Sequence, residues 1–194
     1  MTTWIMLRAA GIGSYIALWL AVSWGLIAST SLVTKRVSKP TSVMFHAVVG
    51  SAGLALLLVH LGGLLMDRFV PFGPLDLLIP MRATYHTAAV AFGIVAMYAV
   101  VVVLVSSWVR KHLTNKLWRT LHLLAVPAFA LALAHGALAG SDSSRPWMFA
   151  VYVGTGLTTL FLVIVRGLTH GYRPPRETRE PVTALRQKPI HPTP

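Results

Sequence analysis

The chain contains no cysteine. Disulfides, thiolate nucleophiles, iron–sulfur clusters, Cys-ligated zinc and covalent c-type haem attachment are therefore excluded. Acidic residues are nearly as scarce, five in 194, so metal ligation falls to the eight histidines. Charge of either sign makes up only 11% of the chain, against about 25% in ordinary soluble domains. Nucleotide motifs are missing as well. No Walker-type phosphate loop occurs, and Gly11-Ile12-Gly13 lies in an apolar run without a third glycine or a βαβ setting.

What is present is apolar: 55% of residues are hydrophobic and the mean hydropathy is +0.68. The net charge of +12 would suit a nucleic-acid binder. The cations, however, lie between and after long apolar runs, as loop charge does on a membrane protein. A spanning helix needs about 20 predominantly apolar residues, and five segments qualify, at 5–30, 43–66, 85–107, 119–139 and 147–168. The expected architecture is all-α, an integral membrane bundle of five transmembrane helices over residues 1–170. Residues 171–194 form a basic, Pro-rich tail with too little apolar surface to fold alone, which is expected to be disordered and cytoplasmic.

Lysine and arginine set the expected orientation. Lys35, Arg36 and Lys39 occupy the first loop, Arg110, Lys111, Lys116 and Arg119 the third, and six more follow from Arg166 onward. The other side has Arg8, Arg68, Arg82 and Arg145. Thirteen against four puts the N-terminus outside and the C-terminus in the cytoplasm of a multi-pass cell-membrane protein. The first apolar stretch exceeds a signal-peptide h-region, so it is read as a span. The loop from Phe69 to Pro80 is too apolar for open water and is expected at the outer interface or over the outer end of the bundle.

Ionisable residues inside spans are costly and mark function. His46 and His60 lie in the second segment, 14 residues apart. On an ideal helix that is about 21 Å and about 40° short of four turns, so both rings share a face. His122 and His135 lie in the fourth segment, 13 residues apart. That spacing falls about 140° short of four turns, and Pro127 between them supplies the kink that would restore a common face. The two segments run parallel, so His46 is level with His122 on the inner side and His60 with His135 on the outer. Two levels of paired imidazoles are what two b-type haems need, each iron filled at both axial positions and so suited to electron transfer. Small residues for a flat macrocycle are available at Gly50, Ser51, Ala52, Gly53, Gly136 and Gly140. Propionate partners would be Arg8, Arg82 and Tyr85 outside, and Trp118 and Arg119 inside. His86 reads as interfacial; His112, His170 and His191 read as solvent-exposed.

These residues carry a resemblance. Phe45-His46 with His60, Leu117-Trp118-Arg119-Thr120-Leu121-His122, His135-Gly136-Ala137-Leu138-Ala139-Gly140-Ser141-Asp142 and the early Leu7-Arg8-Ala9-Ala10-Gly11 make the chain similar to the ferric reductase-like transmembrane family, over residues 7–166. The resemblance implies two stacked haems b, His46 and His122 ligating the inner iron and His60 and His135 the outer, and electron passage across the membrane. No flavin- or nicotinamide-binding domain follows the last span. FAD and NADPH sites are therefore not expected in this chain, and electrons would come from a separate flavoprotein, a quinol or a soluble reductase, as in stand-alone bacterial haem subunits.

Two other readings stay open at this point. One is the quinol-reacting cytochrome subunit of a larger redox complex, with His86 or Asp76 beside the quinol. The other is a transporter or structural membrane protein whose histidines bind an ion or simply hydrogen bond.

Overall fold

The computed structural model describes residues 2–30, 37–68, 70 and 72–169. Lys35, Arg36, Phe69, Pro71, His170, His191 and the tail at 171–194 lie outside the described residues. The order is α1 (Thr2–Ala28), α2 (Lys39–Met66), α3 (Thr87–Trp108), α4 (Asn115–His122), α5 (Ala125–Ala139) and α6 (Pro146–Thr169). Single 3-10 turns lie at Pro74–Asp76 and Arg110–His112. No strand occurs among the described residues. Counting α4 and α5 as one interrupted helix, five helices are long and apolar enough to cross a membrane.

Local chemistry sets the helix ends. The Ser38 side chain accepts from Thr41 N at 3.3 Å ahead of α2, and the Thr114 hydroxyl accepts from Leu117 N at 3.2 Å ahead of α4. Each satisfies one otherwise orphaned first-turn donor. Pro146 opens α6, where its missing N–H has no intrahelical partner to lose. Pro127 has the opposite effect. It has no N–H for the Leu123 carbonyl, and its ring crowds that carbonyl. Leu123 O instead accepts from Val126 N at 3.1 Å. The fourth span therefore breaks at Leu123–Leu124, one turn before the proline.

The chain forms two antiparallel hairpins. In the first, α2 lies on α1 through close approaches at two glycines. A Cβ on Gly53 would sit 3.1 Å from Ala17 Cβ, and one on Gly63 2.7 Å from Leu7 Cβ. The Ser14 hydroxyl donates to Gly53 O at 3.0 Å. In the second hairpin α3 packs against α4 and α5. Helix α1 joins the halves: Tyr15, Val22 and Leu26 form a buried core with Phe129 of α5, flanked by Val151 and Tyr152 of α6. Tyr15 stacks on Phe129 at 5.6 Å, meets Tyr152 edge-on at 5.5 Å and shares a hydrogen bond with Thr155.

Apolar side chains also cover the outside. Val43, Met44, Val48 and Leu58 of α2, Val101 and Val105 of α3, and Phe149, Leu157, Leu160 and Phe161 of α6 are all exposed. Helices apolar on every side belong in a large core or in lipid. The segment after α2 folds over one end. Phe72 packs on Tyr85 and on the buried cluster Ala83, Val90 and Ile94, and Leu77 is buried.

Gly63→Val should cost about 1–3 kcal/mol by overpacking the α1–α2 contact. Gly62→Val, where an added Cβ meets nothing within 4 Å, should be close to neutral. Thermal denaturation of the two detergent-solubilised variants checks the difference.

Candidate functional site

Between the two hairpins runs a cavity of about 1730 Å³, lined from α1 and α2 on one side and α3, α4 and α5 on the other. Pockets for one small ligand reach about 1,000 Å³, so this space exceeds what one such ligand fills. One end opens near Trp4, Arg8 and Asp142; the other near Trp24, Lys116, Arg119 and Arg166. His46, His60, His122 and His135 all line it.

The histidines stand in pairs across the cavity. The rings of His46 and His122 have centroids 5.8 Å apart with planes inclined 57°. His60 and His135 lie within electrostatic range of each other. The break at Leu123–Leu124 brings His122 and His135 onto the cavity side despite their 13-residue spacing.

Each pair member is held by its neighbour helix in a recurring way. His60 Nδ1 contacts Leu7 O at 2.9 Å, and its ring lies on Gly11, where a Cβ would come within 2.9 Å of Nδ1. His135 Nδ1 contacts Ala89 O at 2.8 Å, and its ring lies on Gly93, where a Cβ would come within 2.8 Å. In both, the carbonyl sits four residues before the glycine. A backbone carbonyl can only accept, so Nδ1 carries the proton and Nε2 keeps its lone pair.

The other two histidines occupy looser versions of the same seat. The His46 ring rests on Gly25, with a hypothetical Cβ 3.4 Å from Cε1 and 3.8 Å from Nδ1. The Ala21 carbonyl, again four residues earlier, faces the ring without reaching hydrogen-bond geometry, and His46 Nδ1 is buried without a hydrogen bond of normal geometry among the described residues. His122 Nδ1 lies 3.4 Å from Ser107 Oγ. That hydroxyl donates its own proton to Val103 O at 2.7 Å, once more the carbonyl four residues earlier. Trp118 stacks on His122 at 5.0 Å and reaches Ser107 Oγ at 3.5 Å. The Arg110 guanidinium covers Trp118 at 4.2 Å.

Other residues singled out in the sequence fall in different places. Arg8 lines the cavity, pairs with Asp142 and lies 4.0 Å over the Trp4 ring. Trp118 and Arg119 line the far end, and Tyr85 lines the cavity while donating to Ala139 O at 3.3 Å. Arg82 does not line it, because a 3.0 Å contact to Asp76 holds its side chain in the loop. His86 is an exposed residue ahead of α3 with left-handed backbone, edge-on to Tyr85 at 4.5 Å and also outside the lining. Gly50, Gly53, Gly136 and Gly140 line the cavity, whereas Ser51 and Ala52 face outward. Gly25, Gly93 and Ser107 are not distinguished in the sequence, and Gly11 only as part of the Leu7–Gly11 motif and of a discounted nucleotide fingerprint. Their signal is the 14-residue interval that Gly11–Gly25 and Gly93–Ser107 share with His46–His60.

The two ends differ in charge. Among the described residues the carboxylates Asp67, Asp76 and Asp142 all belong to the Arg8 end. The far end carries Lys39, Arg110, Lys111, Lys116, Arg119 and Arg166. No three His, Cys, Asp or Glu side chains converge on one point among the described residues. Comparison with protein-family models, characterised sequences and solved structures gave no match.

The Arg8–Asp142 pair ties α1 to the α5–α6 connection. With side chains 27% and 16% exposed, breaking it should cost on the order of 2 kcal/mol, less than the ~3–5 kcal/mol of a fully buried pair. Asp142→Asn and Arg8→Met should each lower the denaturation midpoint. The double variant should fall by less than the sum of the two, and a double-mutant cycle measures the coupling.

Proposed function

We propose that this chain is a multi-pass membrane cytochrome of the ferric reductase-like kind, holding two haems b and relaying electrons between the two faces of a membrane. The observation that carries this reading is the cross-cavity pairing of four histidines at two levels, with cation-rich and carboxylate-bearing ends apart. A lone pair of imidazoles is too few for a zinc or similar ion, which takes three or four protein ligands. It suits a group that brings its own equatorial donors. The 5.8 Å between the His46 and His122 ring centres compares with roughly 6 Å for two imidazoles on one metal, two bonds of about 2 Å plus the two ring half-widths.

The orientation follows the charges. The Lys116 end, with His46 and His122, is the cytoplasmic inner level. The Arg8 end, with His60 and His135, is the outer level. Haem held by His46 with His122 and by His60 with His135 would supply one-electron transfer.

The chain's own residues do the rest. Nδ1–H tautomers at His60 and His135 direct Nε2 lone pairs to the outer level. Gly11 and Gly93 let the Nδ1 edges of those rings approach the neighbouring helices. Trp118 fixes the plane of His122. Arg8 outside and Arg119 inside are the propionate partners. The electron donor meets the inner face and the acceptor the outer.

The quinol reading lacks comparable support, since Asp76 is engaged by Arg82 and His86 stands outside the cavity lining. A single midplane ion site is disfavoured by histidines that are about 20 Å apart along each span.

The test is an oxidised-minus-reduced optical spectrum of the purified chain, with extracted haem counted per polypeptide. The expected result is two b-type haems. His60→Ala or His135→Ala should leave one, as should His46→Ala or His122→Ala, with each variant still folded by thermal melt. Absence of haem from protein produced with ample haem supply would overturn the proposal.

A further inference from the structure

We propose that the two histidine levels differ in donor strength. The His60–His135 level is the stronger donor, so an iron held there has the lower reduction potential, and Ser107 sets the donor strength of His122 at the other level. This rests on the cytochrome reading above and goes beyond it by ordering the two sites.

The argument begins with the second nitrogen of each ring. An Nδ1–H bonded to a backbone carbonyl gives up part of its proton, and the imidazole becomes a more basic ligand. A more basic ligand favours the higher metal charge, hence the oxidised state. At the His60–His135 level both rings have this support, at 2.9 and 2.8 Å. At the His46–His122 level neither has it. The His46 ring stands further from its helix, an added Gly25 Cβ lying 3.8 Å from Nδ1 against 2.9 and 2.8 Å at Gly11 and Gly93. Among the described residues His46 Nδ1 makes no hydrogen bond of normal geometry, its one approach being the Ala21 carbonyl. His122 has only the Ser107 hydroxyl at 3.4 Å, an acceptor it shares with Trp118 Nε1.

Charge acts in the same direction. Arg110, Lys116, Arg119 and Arg166 line the His46–His122 end, where no carboxylate occurs among the described residues. Fixed positive charge favours the reduced state of a nearby metal. At the opposite end the Arg8 charge is balanced by Asp142. Hydrogen bonding and electrostatics thus agree on the order: the His46–His122 level is reduced first.

Ser107 occupies the position that Gly93 holds at the other level. Its hydroxyl stands between His122 and the Val103 carbonyl, so it is a positioning residue acting through His122. The experiment is a spectroelectrochemical titration of the purified, haem-loaded full chain. Two resolved one-electron steps are expected. His60→Ala should retain the higher-potential step and His122→Ala the lower one. In the otherwise intact protein, Ser107→Ala should move only the higher step, upward, and Ser107→Thr should restore it.

Retention of the lower step in His60→Ala, coincident steps in the unaltered chain, or a Ser107→Ala variant that moves the lower step or neither would each overturn the proposal. Those outcomes all occur in haem-loaded protein. A chain that takes up no haem instead removes the cytochrome reading itself, so the two failures are distinguishable.

Discussion

An imidazole placed among apolar helices must have its polar nitrogens satisfied, and most of this architecture follows from how that is done. The donor needs an acceptor, and the nearest acceptors are the carbonyls of a neighbouring helix. Those carbonyls are already engaged in the helix ladder, but each has a second lone pair. A ring can reach one only where the residue a turn later has almost no side chain. Leu7 with Gly11 and Ala89 with Gly93 meet that condition fully. Ala21 with Gly25 and Val103 with Ser107 meet it in part. The close packing of α2 on α1 and of α5 on α3 is therefore also what orients the functional side chains.

The same constraint explains why the cavity lies where it does. Each histidine is backed against the partner helix of its own hairpin, so its free face turns toward the other hairpin. Packing between the hairpins is carried on one side of the cavity by α1, through Tyr15, Val22 and Leu26 against Phe129. Among the described residues the α2–α3 side has no such interlocking cluster. Some polar groups that remain inside are matched locally, as with Tyr15 and Thr155, or lie at the ends, as with Arg8 and Asp142, whereas Trp19 Nε1, Ser23 Oγ and Thr159 Oγ1 are buried without a hydrogen-bond partner among the described residues.

Much of the fold was legible because apolar length is a strong signal, and the five expected spans match the five helices within a few residues at most ends. The histidines were legible for the opposite reason, as rare polar residues in apolar runs. Their backing was not. A carbonyl has no identity in sequence, and a glycine that seats a ring looks like any small packing residue until the neighbouring helix is known. Pro127 announced a break, but the break falls a turn earlier because the proline disrupts the carbonyl four residues before it. Ser51 and Ala52 were grouped with Gly50 and Gly53 by proximity in sequence. The stripe that lines the cavity instead follows the helical period through His46, Gly50, Gly53, Leu57 and His60. Arg82 falls outside the cavity lining because of a loop contact to Asp76, which follows from turn geometry that residue types do not encode.

The two hairpins repeat one plan, a helix offering carbonyls and small residues followed by an antiparallel helix offering two histidines. Each histidine's backing comes from within its own hairpin, so neither half needs the other to aim its rings. During synthesis the first hairpin is complete before α3 has emerged, so His46 and His60 can be aimed before the second hairpin forms. Assembly then brings together two hairpins that each aim their own rings, with α6 packed on α1 and α5, and the interior space is the seam where the hairpins meet.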